Sequence, residues 1–169
     1  MGVETMYVAG AVLVGIGAVL IMDIWNVFLQ RAFNISSLNF CVVGRWLSYM
    51  PLGTFRHANM ASVPKRPAEC AIGWTAHYLI GVAFALMLVL LTSGNWLEHP
   101  SLLPALLVGI GTVPIPYFIM QPALGLGIAA ANTPNPIQAR LKSLVTHTVF
   151  GIGLYLSALA VSYLLHLHA

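Results

Sequence analysis

Four long apolar runs dominate this chain and leave it few ways to fold. They extend approximately over Met6–Leu29, Ala71–Leu91, Leu102–Met120 and Leu144–Leu165, and each can cross a hydrocarbon core, which takes about 20 residues as a helix. Only 7% of the residues are charged, far fewer than in a soluble domain. Because backbone groups in lipid must be paired within the segment, and because the short alternating segments of a barrel are absent, we predict helices. The expected fold is an all-α membrane protein, a four-transmembrane-helix bundle.

The basic residues predict how the bundle is oriented. Two of the connections between the runs hold all seven Lys and Arg residues: Arg31, Arg45, Arg56, Lys65 and Arg66 in the first, Arg140 and Lys142 in the third. Since basic residues flank spans on the cytoplasmic side, both termini should face away from the cytoplasm. Scattered cations beside anionic headgroups also explain the pI of about 9.1. We therefore expect the lipid bilayer as a partner, and no nucleic acid.

The gaps between the runs hold no second core, so we expect one integral membrane domain over residues 1–169. The stretch Asn34–Pro51 predicts a short helix in the first connection, with Ser36 or Ser37 as its cap. Its apolar residues recur near helical spacing. Such a helix either lies in the cytoplasmic interface, with Trp46 at headgroup depth, or packs on the end of the bundle.

The third run is irregular. Pro114 and Pro116 lie in its middle, and an internal proline removes a backbone hydrogen bond and kinks a helix. Apolar residues continue beyond Met120 to Ala131, so the whole stretch from Leu102 would measure about 45 Å as ideal helix. This is too long for a straight crossing. We predict a proline-kinked third helix, whose extension over 122–131 either continues it or folds back.

The two cysteines lie in the first connection, at Cys41 and Cys70. They are spaced for neither a zinc knuckle nor a redox pair. Thiols on the cytoplasmic side stay reduced, so we expect two ordinary thiols.

Polar side chains lie just inside one end of each run. Asp23, His77, Gln121 and His147 all approach the same side of the bilayer if the helices alternate in direction, and Arg140 shares a helix face with His147. Charged or titratable groups in a membrane interior are costly, and usually pair or serve a pathway. Four further polar or aromatic residues flank the cluster and are expected to support it: Asn26, Trp74, Ser143 and Thr146.

Three roles fit this cluster. The first is proton or ion handling, with Asp23 as the ionisable centre, His77 and His147 as proton carriers, Gln121 as a hydrogen-bonding wall and Arg140 as a gate or counter-charge. The second is a metal site of Asp23, His77 and His147, with His57 or Glu69 as a further ligand. The third is structural: Asp23 pairs with a neighbouring polar residue and fixes helix register.

Three hypotheses for the function of the protein follow from these roles and from the small size of the chain. A binding or transport bundle for a proton, an ion or a small solute is the leading hypothesis. A non-catalytic accessory or assembly subunit of a larger membrane complex is the second, and a membrane-embedded metalloprotein is the third. The expected protein partners are further copies of this chain, as a homo-oligomer, or a larger membrane complex. The sequence has no phosphate loop, nucleophile elbow or histidine-box set, so no enzymatic activity and no cofactor is predicted.

Several short motifs resemble a known family. They are Met22-Asp23-x-Trp25, Gly44-Arg45-Trp46, Gly53-x-Phe55-x-His57, Glu69-x-x-x-Gly73-Trp74-x-x-His77-Tyr78, Gln121-Pro122 and Ser143-Leu144-x-Thr146-His147. They are similar to those of short, uncharacterised bacterial four-span inner-membrane proteins, a domain of unknown function distantly similar to YagU-like inner-membrane proteins. The resemblance covers nearly the whole chain. It implies the four-span fold and the bacterial inner membrane, so that termini facing away from the cytoplasm would lie in the periplasm, and it implies no activity.

Overall fold

The computed structural model describes the backbone of residues 3–167 and the side chains of residues 5–164, and within that part of the chain it is all-α. His168 and the side chain of His166, expected to form a solvated tail, lie outside the described residues. The α-helices are α1 Val3–Phe33, α2 Phe40–Tyr49, α3 Glu69–Leu91, α4 Asn95–Glu98, α5 Leu102–Gly111, α6 Gln121–Ala123 and α7 Pro136–Leu167. Single turns of 3-10 helix occur at Met50–Leu52, Met60–Ser62 and Ile128–Ala130.

Four helical segments in the described part of the chain are long and apolar enough to cross a membrane, as predicted. They are Thr5–Phe33, Glu69–Leu91, Leu102–Ala123 and Pro136–Leu164. The fourth begins well before Leu144, where the sequence pattern placed its start. The stretch before Leu144 is polar but carries no helix breaker after Pro136, and a proline suits a first helical turn.

The chain divides into two compact units. Unit 1 comprises Met1–Ser36, Tyr78–Gly111 and Thr146–Ala169, and unit 2 comprises Ser37–His77 and Thr112–Val145. The single-domain prediction is not tested by this division and stays a prediction.

Unit 1 has a core in which small residues alternate with larger ones. Leu88, Leu97 and Leu154 are fully or almost fully buried there, between alanines of α1, α3, α5 and α7 that have no accessible surface. Small side chains let helix backbones approach closely, which is how helices pack in lipid. The short helix α4 adds Trp96 and Leu97 to this core, so the connection between α3 and α5 is partly buried.

Unit 2 has its own core around Val43, Trp46 and Met60. Helix α2 begins with Asn39 as its cap, whose side-chain oxygen accepts a hydrogen bond from the Cys41 amide; the caps predicted at Ser36 or Ser37 are therefore wrong. Asn39 directly precedes the helix, the position from which a side-chain oxygen reaches the first free amides. Trp46 is 9% exposed, and its indole donates to the Phe55 carbonyl at 2.8 Å.

Helix α2 lies across the first turn of α3 with almost no space between the backbones. A Cβ atom on Gly44 would meet the Glu69 carbonyl, and one on Gly73 would meet the Phe40 carbonyl. The same crossing brings Cys41 and Cys70 together, and they form a disulfide. The expectation of two ordinary thiols is therefore wrong, because two glycine-lined helix faces bring together cysteines that are 29 residues apart.

The third span is not a continuous α-helix. Helix α5 ends at Gly111, and Pro116–Met120 form a π-helix that leads into α6. After Ala123 the chain turns: Gly125 has a positive φ of 87°, and the Leu126 amide donates back to the Gln121 carbonyl. Of the two courses predicted for 122–131, continuation of the helix is thus excluded beyond Ala123.

Candidate functional site

The residues predicted to form one polar cluster are divided between the two units. Unit 1 contains Asp23, Asn26, Thr146 and His147, whereas unit 2 contains His77, Gln121 and Arg140 with Trp74 and Ser143. The surroundings of each can be described within its own unit. The convergence of all of them stays a prediction.

Asp23 lies in α1, about 15 Å along the helix from its end at Phe33. The side chain is half-buried, and its Oδ2 accepts a hydrogen bond from the Tyr78 hydroxyl at 3.3 Å. Tyr78 was not among the predicted site residues. Its position in the motif directly after His77 could have indicated it, because a tyrosine beside an intramembrane carboxylate is a neutral hydrogen-bond donor.

Two buried polar atoms of unit 1 have no hydrogen-bond partner in the described part of the chain. They are the hydroxyl oxygen of Thr146 and the indole nitrogen of Trp25. Thr146 precedes His147 in α7, and the His147 carbonyl faces the close crossing of α5 at Gly109. Buried polar groups are nearly always hydrogen-bonded, so such atoms indicate places where water or a solute completes the structure.

His77 lies among aromatic side chains in unit 2. Its ring stacks on Phe40 with a centroid separation of 4.1 Å and meets Trp74 edge-on at 5.8 Å. Trp74 itself remains 44% exposed. An imidazole packed against two aromatic rings is held in one orientation, which suits a positioned proton carrier and also suits simple packing.

Gln121 is the most enclosed of the four polar residues predicted just inside the spans. It is 9% exposed, and its side-chain oxygen Oε1 has no hydrogen-bond partner among the described residues. It directly follows the π-helix Pro116–Met120. Segments of π-helix are rare and often occur at functional sites, because the widened turn re-aims the next side chains.

Arg140 and its neighbours fix the turn that follows the third span. The Arg140 guanidinium Nε donates to the Ala129 carbonyl at 2.8 Å, and the Tyr117 hydroxyl donates to the Arg140 carbonyl at 2.6 Å. Ser143 also hydrogen-bonds to Tyr117. Arg140 thus stabilises the backbone at Ala129 through this hydrogen bond. Its role as a gate or counter-charge stays a prediction.

A buried ion pair between Arg45 and Glu69 was not predicted. The guanidinium Nε and Nη2 each donate to one carboxylate oxygen, both at 2.8 Å, and the two residues are 5% and 8% exposed. Nη1 also donates to the carbonyls of Ala61 and Val63. The hydrogen bond to Glu69 raises the pKa of Arg45, so the guanidinium stays charged. The position of Arg45 among the apolar residues of α2 could have indicated this pair, because a buried arginine needs an acidic partner.

The pairing of Glu69 bears on the metal hypothesis. Within residues 5–164, no group of three His, Cys, Asp or Glu side chains is arranged to hold a metal ion. Glu69, named as an additional ligand, has both carboxylate oxygens engaged by Arg45. His57, the other additional ligand, is half-buried, with its Nε2 buried and without a partner in the described chain. A metal site using Glu69 would have to break the ion pair.

Residues 12–161 match a family model described as a protein of unknown function, DUF2938. This agrees with the resemblance of the motifs to an uncharacterised family. No curated protein and no solved structure matches the chain.

Proposed function

The chain belongs to the DUF2938 family of proteins of unknown function, and from that premise we propose that it binds or translocates a small polar species within the membrane. The species is a proton, an ion or a small solute. Asp23 is the ionisable centre, Gln121 a hydrogen-bonding wall, and His77 and His147 are partners or proton carriers. We place the protein in the bacterial inner membrane with both termini in the periplasm, because the basic connections favour this orientation. The disulfide between Cys41 and Cys70 in the first of these connections is instead typical of an oxidising compartment.

The observation that carries this proposal is the buried, unpartnered oxygen of Gln121. Leaving a buried acceptor unsatisfied costs roughly 1–3 kcal/mol, so it is normally completed by water or by a ligand. A π-helix directly before Gln121 adds a second reason, since it departs from regular packing where the amide is placed. An oxygen acceptor in this position favours a cation, a proton donor or a hydroxylated solute.

Asp23 supplies the chemistry that a neutral amide lacks. A carboxylate within a membrane span is expensive and is therefore a functional candidate by default. The Tyr78 hydroxyl donates a hydrogen bond to it at 3.3 Å. A carboxylate can exchange a proton or attract a cation, which an amide cannot do.

We predict that Asp23→Asn reduces proton flux to near the rate of protein-free vesicles. The amide keeps the size and the hydrogen bond to Tyr78 but cannot take up a proton. The measurement uses the purified full chain in liposomes that contain a pH-sensitive dye, after an imposed pH step. Parallel vesicles with sodium or potassium gradients test the cations.

Glu98→Gln is the matched control, because it makes the same chemical change in the connection between α3 and α5. Glu98 accepts a hydrogen bond from Tyr7, which a glutamine oxygen can also accept, so this variant should keep the wild-type flux. Gln121→Leu should lower the flux as Asp23→Asn does. Equal rates for Asp23→Asn and the wild type would count decisively against Asp23 as the centre.

A further inference from the structure

Unit 2 contains an open cavity of about 520 Å³, within the usual range of sites for small molecules. Arg56, His57 and Asn132 are among its lining residues, together with Gly125 and Gly127. None of the residues lining it is acidic. Pro122 lines the cavity, whereas the neighbouring Gln121 is not part of its lining.

The two segments that form the cavity are fixed to each other. The His57 amide donates to the Ala123 carbonyl at 2.9 Å, and the Met60 amide donates to the Leu124 carbonyl at 3.1 Å. The buried indole of Trp46 holds the Phe55 carbonyl beside them. The walls therefore need little ordering when a ligand binds, which favours affinity.

Two glycines of the lining allow the segments around the cavity to approach each other closely. Gly125 and Gly127 have φ values of 87° and 77°, which other residues adopt only with strain. A Cβ atom on Gly125 would meet the Ala58 carbonyl, and one on Gly127 would lie within 3.0 Å of the Asn132 side chain. The Asn132 amide also contacts the Gly125 carbonyl at 3.4 Å, so this side chain is held at the wall.

The charge of unit 2 favours an anion. Its sequence contains six of the seven Lys and Arg residues but only one of the four acidic residues. That acid, Glu69, is buried against Arg45. Arg56 is exposed at the cavity, and no carboxylate pairs with it among the residues that the structure describes. A concave site under a field of one sign concentrates ions of the other sign.

The cavity also lies beside the end of a candidate span. Its lining residue Pro122 precedes Ala123, the last residue of the third candidate span, so we expect the cavity near the level of the lipid headgroups. Leu52, Phe55 and Ile128, in the segments around it, are each 61% exposed. Large apolar side chains at such a level fit contact with the acyl boundary of a bilayer.

We propose that this cavity binds a phosphoryl group, carried by an anionic lipid headgroup or by a small phosphorylated solute. Arg56 supplies a planar fork of donors that matches two phosphoryl oxygens. Asn132 and the imidazole of His57 supply hydrogen-bonding groups on the walls. This inference is independent of the proposed function, which uses neither Arg56 nor the cavity.

The test measures binding to the full chain in a neutral detergent, with three probes: inorganic phosphate, dihexanoyl phosphatidic acid and dihexanoylglycerol. The phosphorylated probes should bind, and Arg56→Gln should weaken them about tenfold or more, as expected for a lost charge-assisted hydrogen bond. Lys65→Gln removes an exposed cation of the same connection outside the cavity lining, and should change affinity by no more than about twofold.

The outcomes separate the sources of the phosphoryl group. Binding of phosphatidic acid without phosphate assigns the site to a lipid headgroup, and binding of phosphate at similar affinity assigns it to a soluble ligand. Dihexanoylglycerol binding as tightly as phosphatidic acid would overturn the proposal, since only the acyl chains would then matter. Equal losses in Arg56→Gln and Lys65→Gln would overturn it too, because they would indicate diffuse attraction. Unfolding temperatures of the ligand-free variants verify that both remain folded.

Discussion

Replacing Arg45 by Met is expected to lower the midpoint of thermal unfolding by about 10 °C. The guanidinium neutralises a carboxylate that is almost fully buried, and it also donates to the carbonyls of Ala61 and Val63. Methionine fills a similar volume but leaves the Glu69 carboxylate uncompensated and the carbonyls without a donor. Removing one partner of a buried ion pair is far more destabilising than the pair itself is stabilising. Circular dichroism of the protein in detergent measures the shift.

A second substitution separates charge from packing. The double variant that combines Arg45→Met with Glu69→Leu has neither buried charge. It should therefore recover much of the stability that Arg45→Met alone loses. Lys65→Met, at an exposed cation of the same connection, should leave the midpoint almost unchanged. If Arg45→Met unfolded at the wild-type temperature, the buried pair would have no part in holding α2 on α3. A double variant less stable than the single one would mean that the hydrogen bond which Glu69 accepts from the Arg66 amide at 2.9 Å stabilises the fold more than the uncompensated charge destabilises it.

Gly44→Ala should destabilise the protein by about 3 kcal/mol, at the upper end for overpacking. The added methyl group would overlap the Glu69 carbonyl and come against the Gly73 amide. Both are backbone atoms at a helix crossing, so no side chain can rotate out of the way. Helix α2 must move away from α3, which opens the core around Trp46 and strains the Arg45 contacts. Unfolding in increasing denaturant, followed by the fluorescence of the tryptophans, gives the free energy of unfolding.

Gly111→Ala is the matched control. A Cβ atom there meets nothing within 4 Å, and Gly111 ends a helix without a positive φ. Alanine is the better helix former by up to about 1 kcal/mol, so this variant should be neutral or slightly stabilised. Similar losses for the two alanine variants would show that the α2–α3 crossing tolerates a methyl group.

The number and type of the spans could be predicted from the sequence, because lipid imposes a length and an apolar composition on any helix that crosses it. The limits of the helices could not. Hydropathy marks where a segment meets lipid and does not mark where its helix starts, so α7 begins at Pro136 rather than Leu144. The turn after Ala123 depends on Gly125, whose left-handed conformation the apolar pattern conceals.

The polar site stays a prediction, and the sequence could indicate only single residues of it. Asp23 and Gln121 stand out because polar side chains are unusual in an apolar helix. The Arg45–Glu69 pair and the Cys41–Cys70 bond each join residues far apart in the chain. They depend on where one helix crosses another, and hydropathy does not determine crossings. Gly44 and Gly73 were the only local hint, since each lies three residues after one of the cysteines.

The bond between Cys41 and Cys70 makes the long connection a covalent ring. In a chain-entropy description, a ring of this size reduces the conformational entropy of the unfolded chain and so stabilises the folded state by about 3–4 kcal/mol. Arg56 and His57 lie on the ring, far in sequence from either sulfur. Reduction of the disulfide would therefore lower the free energy of local unfolding of the segment that carries Arg56 and His57. It would loosen one wall of the proposed phosphoryl cavity, although neither cysteine is among the lining residues.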